Sequence, residues 1–438
     1  MDRSRLAGES SRRVPLLAVL IAVSLFDATA LPSASGAVAV PGRWGRQIGR
    51  EGETEQVRVP DRLLPGLDPP WSPQAQHWFR LDSSSEVGFG VEPAVNRVDG
   101  LSILARQTIR SRRRAWGPNV TGYEGYGIAS ERWSGAIDTW LHPGSRAWSV
   151  GARWSDETSP HLLPRQPLDA AEHFIAAGLL REDLLDYLRR RGVSYRLEWS
   201  PRPNQGLQAA WMDETHRSLE RVVARYGLFG GGKRFPLNPE IDEGEYRGLR
   251  LRGRWAREER RMSGPSPMAA VSIDVQRIER TPRGLAPFTR VWLEHRGEAR
   301  LTPAQGIGYR FAAGMTPRGA APSDGSRLPR QWQFEAGGIG SLRGTKDGHF
   351  QGDRLALATA EYVLHFSPEF QTALFLDSGK AWDQSNDRSG GIAGSGRLAL
   401  DGGVGVRVGN DGLRIDVARD LRAERASARV TVRLSTPY

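Results

Sequence analysis

The sequence predicts an all-β protein, a transmembrane antiparallel β-barrel of about sixteen strands with one inserted loop helix. Three observations carry this reading. Short runs of alternating apolar and polar residues recur along most of the chain, separated by Gly, Pro, Asn and Asp, as strands do when one face meets an apolar medium and the other a polar one. The connections between them alternate in length over most of the chain, as when turns are tight on one side of a membrane and loops long on the other. At the end of the chain, Val430, Val432, Leu434, Thr436 and Tyr438 alternate with Arg429, Thr431, Arg433 and Ser435, which turns the aliphatic side chains toward lipid and the arginines toward a lumen. An even strand number allows closure, and closure in lipid satisfies backbone groups that an open sheet of this length would leave bare.

The elements follow in order. Residues 14–26 are apolar, preceded by Arg3, Arg5, Arg12 and Arg13 and followed by the small-x-small sites Ala28-Thr29-Ala30 and Ala37-Val38-Ala39. This is the grammar of a secretory signal over residues 1–30, with cleavage as late as 39, since the run is shorter than the ~20 residues a span needs. Residues 31–84, rich in Pro, Gly and charge without sustained periodicity, read as a poorly ordered periplasmic lead-in. The barrel occupies residues 85–438, with strands expected near 86–91, 101–108, 125–132, 135–141, 147–154, 193–199, 207–214, 246–255, 268–278, 288–295 and 306–313. Five more centre on Ala360, Leu374, Val406, Ile415 and Val432. Asp169 and Glu172 have capping-box spacing, and Leu179, Leu180, Leu184, Leu185 and Leu188 form a stripe ending at Gly192, so residues 169–191 are expected to be a helical insertion, either a lid over the pore or a helix packed on the rim. The alternation of loop lengths breaks only near the start, where 96–100 is short in the place of a long loop and 108–122 is long in the place of a turn. The first two strands are therefore the ones the pattern fixes least.

The stretch 328–382 organises the rest. Gly337, Gly338, Gly340 and Gly344 free the backbone to fold back on itself around Arg343 and Leu342, giving a loop over 328–354 that can enter the lumen. After it, Ala356, Ala358, Ala360, Tyr362, Leu364 and Phe366 recur at period two with Glu361 on the opposite face. Beyond a short turn, Gln371, Ala373, Phe375 and Asp377 share one face of the next strand, so Glu361 and Asp377 point to the same side of a hairpin, where a guanidinium could engage either in a forked geometry.

These residues carry a resemblance. The run from Gly337-Gly338 to Gly344, then Gly352-Asp353, Glu361-Tyr362 and Phe375-Leu376-Asp377-Ser378-Gly379, resembles the C-terminal barrel of the Omp85 superfamily of outer-membrane proteins, the BamA and TamA relatives of the bacterial surface antigen D15 type. The resemblance implies that Arg343 is the arginine of a lumen-inserted sixth loop, with Glu361 and Asp377 its wall partners. Thr345 stands where the family usually has an aromatic residue. It implies further that the protein is exported to the outer membrane of a Gram-negative-type envelope and takes part in inserting or translocating proteins. The expected partners are outer-membrane lipid and lipopolysaccharide, the barrel assembly machinery during biogenesis, and protein clients. The lead-in is too short for one of the POTRA repeats that usually precede such a barrel, and Val432, Leu434 and Tyr438 resemble the C-terminal signal that barrels present for assembly. Two other functions fit the same barrel: a passive pore or transport channel, and an outer-membrane hydrolase.

Composition narrows the field. There is no cysteine, which excludes disulfides, thiol chemistry and cysteine metal sites, and a hydrophobic fraction of 39% excludes a helical membrane protein. The net charge of +11 comes from arginines interspersed with acids, Lys233, Lys346 and Lys380 being the only lysines, which fits a charged lumen and an anionic lipid rim rather than nucleic acid. The run from Gly227 to Lys233 spells the start of a phosphate loop, but Arg234 follows where a magnesium-binding Ser or Thr is needed. His142 with Ser145, Ser159 with His161, and His349 with Asp347 and Asp353 read as turn and loop polarity rather than as catalytic or metal sites. No cofactor is expected.

Overall fold

A computed structural model describes residues 77–433, apart from 81–84 and short segments within the connections. The signal segment, most of the lead-in, Leu434 and Tyr438 lie outside the described residues. The first strands are β1 (His77–Arg80), β2 (Ser85–Asn96), β3 (Gly100–Ser111), β4 (Pro118–Gly127), β5 (Arg132–Leu141) and β6 (Trp148–Pro160). Helix α1 (Ala170–Gly178) precedes β7 (Tyr187–Arg202), β8 (Gln205–Ser218), β9 (Gly244–Arg261), β10 (Gly264–Thr281), β11 (Phe288–Thr302) and β12 (Gln305–Met315). A long connection then carries a 3-10 turn (Arg330–Trp332) and the short hairpin β13 (Phe334–Ala336) and β14 (Phe350–Gly352). The chain finishes with β15 (Arg354–His365), β16 (Phe370–Trp382), β17 (Ala399–Val408), β18 (Leu413–Asp420) and β19 (Arg429–Arg433).

From β1 to β12 and on through β15 to β19, each strand pairs antiparallel with the next, making one 17-stranded sheet. Its two ends meet at the same helix. α1 packs on β2 through Ala177 and Val95, and its Glu172 accepts a hydrogen bond from Arg433 Nε of β19 at 2.9 Å.

The two faces of this sheet are the reverse of those of a water-soluble β protein. On β16, Leu374 and Leu376 are exposed while Ala373, Phe375 and Asp377 between them are buried. The same holds on β9, where Leu249 and Leu251 are exposed and Arg250 and Arg252 buried, and on β19, where Val430 and Val432 flank the buried Thr431. An aliphatic wall around a charged interior is stable only where the outer medium is hydrocarbon and the inner one polar. Among the described residues no helix is long and apolar enough to cross a membrane.

The connections sort by end. Those spanning residues 161–186, 219–243, 316–353 and 383–398 all leave one end of the sheet, while 203–204, 262–263, 303–304 and 366–369 turn at the other. The irregularity at the start of the sequence has a structural reason. β3 runs to Ser111 and β4 begins at Pro118, so the second connection is 112–117 and ordinary. The first is short because it is a buried turn. Asn96 Oδ1 accepts the N–H groups of Val98 and Asp99 at 2.9 and 2.6 Å, and the Arg97 side chain is held by Asp186 and by the Leu185 carbonyl at 2.7 Å. Asn238 ties the covering segments together by donating to Tyr187 O at 2.8 Å and Leu219 O at 2.6 Å.

Two expectations are corrected. The helix expected over 169–191 ends at Gly178, because Arg181 adopts φ +59°, in the left-handed region that stops a helix. The later part of the leucine stripe serves other contacts: Leu188 lies buried in β7, and Leu185 packs with Tyr187 against Val98 and Leu219. The lead-in, expected to be irregular to residue 84, contributes β1, whose residues 77–80 pair with Glu86–Phe89 of β2. Since those same β2 residues also pair with β3, β1 covers the opposite edge of the first long strand.

The inverted faces give a direct test. Leu251→Arg on the outer wall is expected to destabilise the protein refolded into lipid vesicles by about 2–4 kcal/mol. Phe229→Arg, in the 219–243 connection, should stay within about 0.5 kcal/mol. Urea titration of the two variants in vesicles measures both.

Candidate functional site in the barrel lumen

The connection between β12 and β15 is too long to be a simple link, and within its described part most of residues 328–345 are buried. Trp332, Phe334, Ala336 and Leu342 are each 1% exposed or less. Trp332 packs among Tyr246, Ile278, Phe288 and Leu328, and Phe334 stacks on Trp292 with ring centroids 6.2 Å apart. The Phe334 ring lies against Gly314 of β12, where a Cβ would come within 2.5 Å of it. These apolar contacts hold the loop against the inner wall.

The turn beyond them depends on glycine, for conformation at Gly338 and for space at Gly344. Gly338 has φ +79°, and a Cβ there would overlap Asp347 Oδ1 at 1.7 Å. At Gly344 the constraint is approach, since a Cβ would stand 2.4 Å from the Arg419 carbonyl carbon at the end of β18. The Gly340 carbonyl accepts a 2.5 Å hydrogen bond from Arg310 of β12.

The loop thereby carries Arg343 to a wall of carboxylates. Its Nε and Nη2 donate to the two oxygens of Asp377, each at 2.7 Å, and Nη1 donates to Glu361 Oε1 at 2.7 Å and to Asp416 Oδ2 at 3.3 Å. The guanidinium carbon lies 3.4 Å from the centroid of Phe375, so the fork is also stacked on a ring face. Glu361 accepts in addition from Arg407 at 2.6 Å and Arg414 at 2.7 Å, and Arg414 bonds Asp416 at 2.8 Å. Three guanidiniums and three carboxylates therefore interlock in a site where each of these side chains is 10% exposed or less.

A second grip lies beside the first. Asp401 of β17 is in register opposite Asp377, a like-charge pair that would repel if both were bare. Arg343 covers one. The other accepts the N–H groups of Gly344 and Thr345 at 2.7 and 2.9 Å and the Thr345 hydroxyl at 3.0 Å. Thr345, which departs from the family's usual aromatic, is thus a hydrogen-bond donor at the loop tip.

The structure brings Arg343, Glu361 and Asp377 together, with Gly337, Gly338, Leu342 and Gly344 shaping the turn. Val432 lies on the outer face of β19. The sequence reading missed Arg407, Arg414, Asp416 and Asp401. Their signal is the inward alternation Asp401, Gly403, Gly405, Arg407 and then Arg414, Asp416, which is legible only once the inner face is known. Other candidates have local partners. Ser159 donates to the adjacent Pro160 carbonyl at 3.3 Å, Asp347 pairs with Arg429 at 2.7 Å, and His349 packs edge-on against Phe350. Lys233 pairs with Glu182. A further cluster joins His161, Asp186 and Glu335, in which Asp186 is engaged by Arg97 and Glu335 by Gln351.

At the mouth, His173 of α1 and Tyr187 share a 2.8 Å hydrogen bond, and the tyrosine hydroxyl donates to Asp183 at 3.0 Å. Burial holds the imidazole below its ordinary value, partly opposed by Asp183.

Among the described residues, the sixteen strands β2 to β12 and β15 to β19, an aliphatic exterior, a charged interior and a long loop turned into the lumen between β12 and β15 define a transmembrane β-barrel with an internal plug loop. Residues 277–424 match the Omp85 superfamily domain. The fold is similar to that of BamA from Haemophilus ducreyi lacking POTRA domains 1-3, with 14% identity over 82% of this chain and 73% of that one and a TM-score of 0.51. CdiB from Acinetobacter baumannii gives 15% identity over 81% of this chain and 66% of that one, and CdiB from Escherichia coli 12% over 81% and 62%, each with a TM-score of 0.42. No curated protein matches the chain. The likeness to BamA is one of fold.

Two predictions follow from this geometry. Arg343→Ala and Asp377→Ala are each expected to lower stability by about 3–5 kcal/mol, because removing one partner strands a buried charge. The double variant should be little worse than either single, as urea unfolding in detergent would show; additive losses would contradict a direct contact. For His173, whose folded value is depressed, the stabilising effect is complete above its unfolded value of about 6.5 and is lost as pH falls through the folded value. Amide exchange in α1, corrected for intrinsic rates, should therefore accelerate between pH 7 and 5 in the parent and change less in His173→Gln.

Proposed function

We propose that this protein resides in the outer membrane and takes part in inserting or translocating other proteins there, with the Arg343 loop serving as a structural lock on the lumen. The observation that carries this reading is the grip of one loop on four consecutive strands, through Glu361, Asp377, Asp401 and Asp416 of β15 to β18. These strands lead directly to β19, the last one described. A loop fixed there sets the curvature of the C-terminal wall next to the place where the first and last strands come together. Among the described residues β1 pairs with Glu86–Phe89 on the outer edge of the first long strand. The Omp85-type fold supports an assembly role in the same sense.

Depletion of the protein followed by a census of outer-membrane barrel proteins tests this reading. Their abundance is expected to fall, and Arg343→Ala should restore it less well than the parent at equal expression. An unchanged census together with altered ion permeability would identify a passive pore instead.

A further inference from the structure

Where the two ends of the 161–186 connection meet the plug loop, three side chains with metal-binding atoms converge. They are His161, just past β6, Asp186, just before β7, and Glu335 on β13, and one ring nitrogen or carboxylate oxygen of each lies within 4.8 Å of those of the other two. His161 and Glu335 are buried, while Asp186 is partly exposed and gives an ion a way in. The backbone fixes all three. His161 N–H donates to the Asp186 carbonyl at 2.8 Å, and Glu335 stands opposite Gln351 in the β13–β14 pair.

The two carboxylates are oriented by further groups. Asp186 Oδ1 accepts from Arg97 Nη2, and Glu335 Oε1 accepts from Gln351 Nε2 at 3.1 Å. Gln351 is steadied in turn, its Oε1 accepting from Arg330 at 3.1 Å. An ionised carboxylate offers about four lone-pair sites, so one such bond aims it and leaves capacity for a metal ion. Hydrogen-bonding partners of this kind are what hold ligating groups in direction in metal sites. The donor set also has a preference. Imidazole beside carboxylate suits zinc and its neighbours better than calcium or magnesium, which favour oxygen alone.

We propose that His161, Asp186 and Glu335 bind a zinc-type divalent cation, three protein ligands that leave one position of a tetrahedron for water. Ligand atoms around zinc stand roughly 3.3 Å apart, so binding draws the three groups together by up to about 1.5 Å. The consequence is mechanical. Glu335 belongs to the plug loop, whereas His161 and Asp186 are the two ends of the 161–186 connection, so the ion fastens loop to mouth, in addition to the grip of Arg343 on the C-terminal strands. The firmness of the plug then depends on the supply of the metal.

Zinc binding to the full chain in detergent tests the proposal. After treatment with EDTA, the protein is expected to take up one zinc per chain, and zinc should raise the thermal midpoint saturably, whereas magnesium at the same concentration gives no shift. His161→Gln and Glu335→Gln should each weaken half-saturation about 100-fold or more, since loss of an orienting partner alone costs about 10- to 100-fold. His349→Gln, at another histidine of the plug loop, should leave it unchanged. If the ligand variants fail to fold, Gln351→Ala, which removes an orienting partner and no ligand, is expected to weaken half-saturation about ten-fold. Failure to take up zinc, an equal shift in magnesium, or zinc binding that survives the variants at residues 161, 335 and 351 would overturn the proposal.

Discussion

A guanidinium in the middle of a barrel cannot be left unpaired, and that constraint fixes much of this structure. Arg343 is brought inward by apolar anchors it does not choose, and once inside it needs acceptors on two sides of its plane. Asp377 supplies the fork, Glu361 the remaining edge, and Phe375 the face. Glu361 then takes further counter-charge, which Arg407 and Arg414 provide. An exposed ion pair of the same composition would contribute little, because water competes for both partners. Here the geometry is closed, so the stability of the loop and that of the wall are coupled through one network.

The loop is also held by shape. Three large apolar residues, Trp332, Phe334 and Leu342, are buried against the inner wall, and the wall makes room for them with small residues at matching positions, such as Gly314. Truncating a buried aromatic costs about 3–5 kcal/mol, comparable to breaking a buried ion pair. Neither effect dominates. The apolar contacts determine that the loop lies inside, and the polar contacts determine where its tip stops.

At the opposite end of the loop's reach, the mouth of the barrel is built on a related principle. The shortest turn on that end, Arg97 to Asp99, is buried because two longer connections fold over it, and Arg97 is paired there as Arg343 is in the lumen. In both places a single arginine at the tip of a turn collects acceptors from segments distant in sequence. The planar fork of arginine satisfies several acceptors at once where an ammonium would not.

The sequence by itself determined the fold class, because period-two alternation and turn residues are local properties that survive in any context where one face is apolar and the other polar. It also placed Glu361 and Asp377 on one face and Arg343 on a bendable loop, since register parity and glycine spacing are written along the chain. Only the tertiary structure decided the rest. The leucine stripe after residue 178 looked helical because periodicity does not say which neighbour a side chain will meet, and here it met the β2–β3 turn. β1 was hidden for the opposite reason, as four residues carry too little periodicity to be seen until β2 offers an edge. Asp401, Arg407, Arg414 and Asp416 joined the site only when curvature of the sheet brought four strands around one loop tip, a distance that no spacing along the chain encodes.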